Sequence, residues 1–294
     1  MRVTSKMSFD LAQAQMMAAR DRAVQAQQQV TTGMRVDHPG DDPAAAGVMV
    51  SQGIAIQRLD TIDKTTSSAQ GEVQTADGAL QSVSTLLAQA QQLAVQLGND
   101  TYSAAERSAG SQEINGISSQ IVQLMNTQVA GRYIFGGNSD SSPPFDASGG
   151  YSGDAAVRQI EIAPGLLQAS SIRADVTMKG VGGGVDVFAT LSTLSTALAN
   201  NDGAGIRSAV TGISQSTDQV ASALTATGGI LSAFDSAQQI GSVAKDSAQK
   251  VLSAQSEADI FQATSNLTLA QQSLQASLAV TAQSFNVTLL NYLK

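Results

Sequence analysis

Residues 43–97 read PAAAGVMVSQGIAIQRLDTIDKTTSSAQGEVQTADGALQSVSTLLAQAQQLAVQL, and one stripe within them decides the fold. The stripe is Ala45, Val48, Gln52, Ala55, Leu59, Ile62, Thr66, Ala69, Val73, Ala76, Leu80, Val83, Leu87, Ala90, Ala94 and Leu97. Its members alternate three and four apart without a break, and only Gln52 and Thr66 are polar. A stripe of that period, held for so long, specifies a coiled-coil seam and not the face of a short globular helix. At about 1.5 Å of rise per residue the helix would be roughly 80 Å long, more than the width of a compact domain of this size. The spacing therefore predicts a rod.

Working outward, Asp42 suits the N-cap of this helix and Pro43 its first helical position. Before them, residues 1–36 read as a helix with apolar contacts at Val3, Met7, Leu11, Ala14, Met17 and Val24, fraying at Thr31-Thr32-Gly33. After Gly98-Asn99-Asp100, Ser103 and Glu106 have capping-box spacing for a helix carrying Ile114, Ile117, Ile121 and Leu124 on one face. That helix is expected to return antiparallel along the first. The period changes at Gly131–Gly137, and from there to Gly184 the chain is rich in Gly, Ser and Pro. Two strand patterns stand in this region. Ile160 and Ile162 alternate with polar neighbours, and so do Ile172, Ala174, Val176 and Met178. Gly180–Gly184 reads as a flexible exit. Helix resumes after Asp186 with Phe188, Leu191, Leu194 and Leu198, and breaks at residues 200–203. It starts again at Ile206 and is expected to be interrupted at Gly228-Gly229. The last helix carries Ile260, Leu267, Leu274, Leu278, Phe285 and Leu289, and pairs with the N-terminal one because both stripes otherwise lack a partner.

The expected fold is mainly α, a long antiparallel helical hairpin forming a coiled-coil rod. The N- and C-terminal helices pair at one end, and a small β-rich insertion domain lies at the other. Its parts are an N-terminal helix (1–42), a hairpin (43–135), an insertion (136–184), returning helices (185–255) and a C-terminal helix (256–294).

Composition narrows the function. Charged residues make up 14% of the 294-residue chain, against roughly 25% in ordinary soluble proteins. Aromatics are 4% and Trp is absent, so small side chains must supply much of the packing. The net charge of −8 is spread along the chain with no cluster of Lys or Arg, which argues against a nucleic-acid partner. No apolar run has the length of a bilayer span, so membrane insertion is not expected. Residues 1–6 lead into Gln- and Ala-rich helix instead of a signal-peptide apolar core, so the chain is expected either to be cytoplasmic or to leave the cell without a cleaved signal. With no Cys, disulfides and thiol chemistry are excluded.

A search for chemistry finds little. His38 is the one histidine, and any Ser-His-Asp arrangement would need it. Asp37, His38, Asp41 and Asp42 could be imagined around a metal, but helix capping explains the carboxylates beside Pro43 without one. Gly182-Gly183-Gly184 lacks the Lys-Ser/Thr pair of a phosphate loop and reads as a hinge. Glu161, Asp175 and Asp186 form no acid–base dyad. No catalytic, cofactor-binding or metal-binding residue is expected, nor a cofactor. What remains is surface, namely apolar faces on the terminal helices that other copies or partners would bury. Periodicity leaves open a closed monomeric bundle in which those faces are satisfied internally.

The residues also resemble a family. Met1-Arg2-Val3-Thr4, Thr32-Gly33-Met34-Arg35-Val36 and the turn Gly40-Asp41-Asp42-Pro43 are similar to the N-terminal region of the flagellin superfamily. Glu257-Ala258-Asp259-Ile260 and Thr264–Leu293 are similar to its C-terminal region. Arg132, Tyr133, Ile134 and Phe135, followed by Gly136-Gly137, Pro143-Pro144-Phe145 and Val187-Phe188, resemble members at the junction of hook and filament. The resemblance implies a non-enzymatic structural subunit of the bacterial flagellum, exported through the flagellar type III apparatus and located outside the cell. It implies a homo-oligomeric ring that meets the other hook-associated junction protein on one side and templates flagellin on the other. An export chaperone would mask the C-terminal helix. Terminal helices would form the inner layer, with assembly contacts at Val3, Met7, Leu11, Leu267, Leu274, Leu278, Phe285 and Leu289, and residues 136–184 the outermost one. The alternatives are flagellin itself, the filament subunit, and a cytoplasmic coiled-coil scaffold.

Overall fold

The computed structural model describes the backbone of residues 2–290 and the side chains of residue 7 and residues 9–282. The fold is mainly α. The helices are α1 (Arg2–Thr32), α2 (Pro43–Leu97), α3 (Ala104–Met125), α4 (Ala174–Lys179), α5 (Val187–Ala199), α6 (Gly203–Ser256) and α7 (Ile260–Leu290). The strands β1 (Gln128–Val129) and β2 (Arg132–Tyr133) form one antiparallel pair, and β3 (Gln159–Ala163) and β4 (Leu166–Ala169) a second. The chain divides into two units, Met1–Arg58 with Ala244–Lys294, and Leu59–Val243. The charge divides with them. Residues 59–243 hold seven Lys and Arg against sixteen Asp and Glu, the remainder nine against eight, so the negative charge lies in the central unit and is not spread evenly.

In the central unit the α2 seam is buried from Ile62 to Leu97, including Thr66. Its partner over this length is α6. Gly98 O accepts from Arg207 Nη1 (3.1 Å), Thr227 Oγ1 donates to Asp77 Oδ1 (2.7 Å), Gln70 Nε2 to Asp235 Oδ1 (2.7 Å) and Gln238 Nε2 to Ser67 Oγ (2.9 Å). The α6 number rises as the α2 number falls, so the pair is antiparallel in one register. α6 supplies its own seam of Ile206, Ala209, Ile213, Ser216, Val220, Ala223, Thr227, Ile230 and Phe234, all buried. α3 also returns antiparallel to α2, but only over the last turns. Gly110 lies against Leu97, and Gln120, Gln123 and Leu124 line a groove with Ser82, Thr85 and Leu86. The expected capping box at its start is present, Ser103 Oγ accepting from Glu106 N and Glu106 Oε2 from Ser103 N. α5 packs on α3, with Leu191, Leu194 and Leu198 joining Leu80, Leu87, Ile114 and Ile121 in one core. Each such side chain contributes about 1.5–3 kcal/mol by leaving water.

Three local expectations are corrected. Residues 172–179 are not a strand, for residues 174–179 form α4. Its buried Ala174, Thr177 and Met178 follow helical spacing, and because Ala174 and Met178 are four apart they satisfy both periods. The alternation could not discriminate. The true partner of β3 is β4, across Pro164-Gly165, with Gln159 opposite Ala169. Gly180–Gly184 is no loose exit. Gly184 N donates to Gly180 O (2.9 Å), and the Gln219 amide accepts from Val185 N (3.0 Å) and donates to Thr177 O (2.7 Å). A Cβ on Gly184 would strike that amide. Finally, α6 runs unbroken through Gly228-Gly229. Two glycines cost about 1 kcal/mol each in a helix, and the buried Thr227, Ile230 and Phe234 around them hold it.

In the other unit, α1 and α7 pair antiparallel. Gly33 O accepts from Ala258 N (2.8 Å), and farther along Ala19 and Ala26 share a groove with Asn266, Ala270 and Ser273.

Candidate assembly surfaces

The α1–α7 pair is made mostly by small side chains. On α1 the inward positions are Ala12, Met16, Ala19, Ala23, Ala26 and Val30; on α7 they are Ala263, Leu267, Ala270, Leu274, Ser277 and Thr281. Both sets alternate four and three apart, the coiled-coil period, and alanines let the backbones approach closely. The consequence falls on the larger residues. Met7 is 69% exposed and Leu11 60%, and Met17 and Val24 are open too. On α7, Phe261 is 89% exposed, and Ile260, Leu269, Leu278 and Val280 are exposed as well. The stripes expected from sequence are thus divided. Leu267 and Leu274 belong to the internal seam, whereas Met7, Leu11 and Leu278 face outward. The side chains of Val3, Phe285 and Leu289 lie outside the described residues. The small-residue seam, which the larger stripe hid, was legible as Ala12, Ala19, Ala23 and Ala26 in heptad positions.

The turn before α2 is built by its carboxylates. Asp42 caps α2 by accepting from Ala45 N (3.0 Å), with Pro43 in the first turn, and Arg35 Nη1 pairs with its other oxygen at 2.9 Å. The Ala45 N–H first, and Arg35 second, hold the Asp42 carboxyl below the usual carboxylate range. Asp41 accepts from His38 N (2.8 Å) and Asp37 N (3.1 Å), which hold its carboxyl low as well. His38 Nδ1 lies 3.7 Å from Asp37 and 4.0 Å from Asp41, and is exposed. Among the described residues no group of three His, Cys, Asp or Glu could hold a metal.

The segment 132–135 ties the central unit together. Ala130 and Gly131 both take positive φ (51° and 79°) in the two-residue turn joining β1 to β2. Arg132 Nη2 meets the buried Glu72 at 2.6 Å, and Arg158 Nη2 takes the other Glu72 oxygen at 3.0 Å. Tyr133 N donates to Asp140 O (2.9 Å). Ile134 and Phe135 are buried. Phe135 O lies 3.1 Å from Tyr151 Oη, and Tyr151 stacks near Phe145, which packs on Phe188 (centroids 5.0 and 5.5 Å). Burial pushes the Tyr151 hydroxyl up to about 12.

The remaining carboxylates have structural partners. Glu161 accepts from Gly165 N (2.7 Å) in the β3–β4 turn, Asp175 takes a two-point bond from Arg173, and Asp186 caps α5 through Ala189 N (3.0 Å) while pairing with Lys179. Sequence reasoning missed Arg107. It is buried and donates to Leu97 O (2.9 Å), Asn99 O (3.0 Å) and Asn201 Oδ1 (2.8 Å), closing the end of α2.

Residues 3–140 match the bacterial flagellin N-terminal helical region. The flagellar hook-associated protein 3 of Salmonella typhimurium is 33% identical over 157 residues, 52% of this chain and 49% of that protein. The chain thus spans about half the length of that curated relative. A solved structure of a flagellar hook-associated protein from Vibrio parahaemolyticus superposes with a TM-score of 0.68 at 21% identity, covering 74% of this chain and all (100%) of that one. Bacillus cereus FlgL superposes with a TM-score of 0.53 at 25% identity, covering 63% of this chain and 96% of that one. The chain is thus similar to the flagellin N-terminal helical region over residues 3–140, and to flagellar hook-associated proteins over about half of its length.

Proposed function

We propose that this chain is a structural subunit of the bacterial flagellum, placed where the hook joins the filament, and not an enzyme. One observation carries the reading. The paired α1 and α7 meet through alanines together with Met16, Val30, Leu267 and Leu274, and leave Met7, Leu11, Met17, Phe261, Leu269 and Leu278 outward. Apolar stripes so disposed suit burial against further copies of the same chain. The likeness to hook-associated protein 3 supports the junction as the place. In this reading the copies form a ring whose inner layer is α1 with α7, surrounded by the helices of 43–135 and 185–255, with 136–184 outermost. One side of the ring meets the other hook-associated junction protein and the opposite side templates flagellin. The chain leaves the cell through the flagellar type III apparatus, and until then a chaperone covers α7.

The test is gold-tagged antibody against this chain on intact flagella, viewed by electron microscopy. A narrow band between hook and filament is the expected result. Label along the whole filament would make the chain a flagellin instead, and its absence from flagella would turn the reading to a cytoplasmic coiled-coil scaffold.

A further inference from the structure

Two stretches that carry the family likeness, 220 residues apart, meet in the fold. The first connector leaves α1 at Gly33, whose φ of +69° suits the left-handed end of a helix. Met34 then bridges antiparallel to Glu257 in the connector between α6 and α7. Arg35 N donates to Ser256 O at 2.7 Å, and Gly33 O accepts from Ala258 N at 2.8 Å. The Arg35 side chain adds a fork. Nη1 reaches Asp42 Oδ2 (2.9 Å), the carboxylate that caps α2, and Nη2 donates to Gln255 O (2.8 Å). Gln255 and Ser256 stand in the last turn of α6, whose carbonyls have no partner inside the helix. Each connector thus satisfies backbone groups that the other leaves open, and the neighbouring Val36 and Ser256 are buried.

We propose that these connectors form one clasp, in which Arg35 is a positioning residue that joins the N-cap of α2 to the last turn of α6 and thereby sets the register in which α1 meets α7. An ordinary exposed ion pair would contribute little. This one differs because the planar fork holds two acceptors on separate connectors, beside a backbone bridge that fixes both. α1 leaves and α7 enters from adjacent positions of that bridge, so displacing one connector displaces both helices. The clasp is independent of what the chain assembles with.

The test is amide hydrogen exchange on the full-length monomer. Arg35→Ala is expected to speed exchange in α1 and α7 together, by about tenfold, leaving residues 82–97 and 114–125 at their original rates. Arg35→Lys, whose single ammonium cannot span both acceptors, should fall between. The chain has no Cys, so Met34→Cys with Glu257→Cys introduces one pair, at a bridged position whose spacing suits a disulfide. In the Arg35→Ala background the oxidised pair should restore slow exchange in both helices, and the reduced pair should not. The proposal is overturned if Arg35→Ala changes neither helix or only one, if exchange also rises in residues 82–97, or if oxidation restores nothing.

Discussion

At the scale of single residues, partners close in sequence were readable and distant ones were not. Asp42 with Pro43, and Ser103 with Glu106, follow from capping rules that involve a few neighbouring residues. Arg107 does not, because its partner Asn201 stands 94 positions away. Arg107→Ala would leave the carbonyl of the buried Leu97, and that of the exposed Asn99, without their donor. Urea unfolding should show a loss of roughly 2–4 kcal/mol, and an unchanged midpoint would show that water replaces the guanidinium freely. Tyr151 gives a pH signature. Its pKa in the folded state, about 12, lies above the unfolded value near 10, so its contribution is intact below pH 10 and is lost as pH rises toward 12. A phenolate could no longer donate to Phe135 O or to Asp154 O, 3.0 Å away. Thermal unfolding of Tyr151→Phe should therefore fall less steeply over that window than that of the parent chain, and parallel curves would remove Tyr151 as the cause.

Elements were legible to the degree that their period was long. The α2 seam, with sixteen members, left no choice, and its capping residues agreed. α4 has six residues, too few to separate a period of two from one of 3.6. α1 and α7 were legible as helices, but their stripes of larger residues are divided, with Leu267 and Leu274 in the seam and Met7, Leu11 and Leu278 outside, because alanines supply most of the α1 side of the contact. This separates two substitutions that sequence alone treats alike. Leu274→Asp places a charge in the α1–α7 seam and should unpair the helices, seen as lost helicity and faster exchange in both. Leu278→Asp sits on the exposed side (49%) and should leave the monomer intact while abolishing self-association, read by sedimentation. Equal effects of the two would mean that the faces are not distinct.

For the whole molecule, the division into two units carries the strongest expectation. Limited trypsin digestion of the monomer should remove both ends and leave a fragment close to residues 59–243, which holds the large core of Leu80, Ile114, Phe135 and Leu191. Termini that resist as long as the centre would point to a closed bundle. The sequence by itself determined that the chain is mainly helical and where most helices begin and end. These depend on local periods, caps and composition. Only the tertiary structure decided that α6 is the continuous partner of α2, that Glu72 is shared by Arg132 and Arg158, and that alanines with Leu267 and Leu274 pair α1 with α7 while Met7, Leu11 and Leu278 stay outside. Those outcomes depend on which distant surfaces meet. The free energy of that meeting comes from burial and from satisfying polar groups between segments far apart in the chain, and no local pattern encodes it.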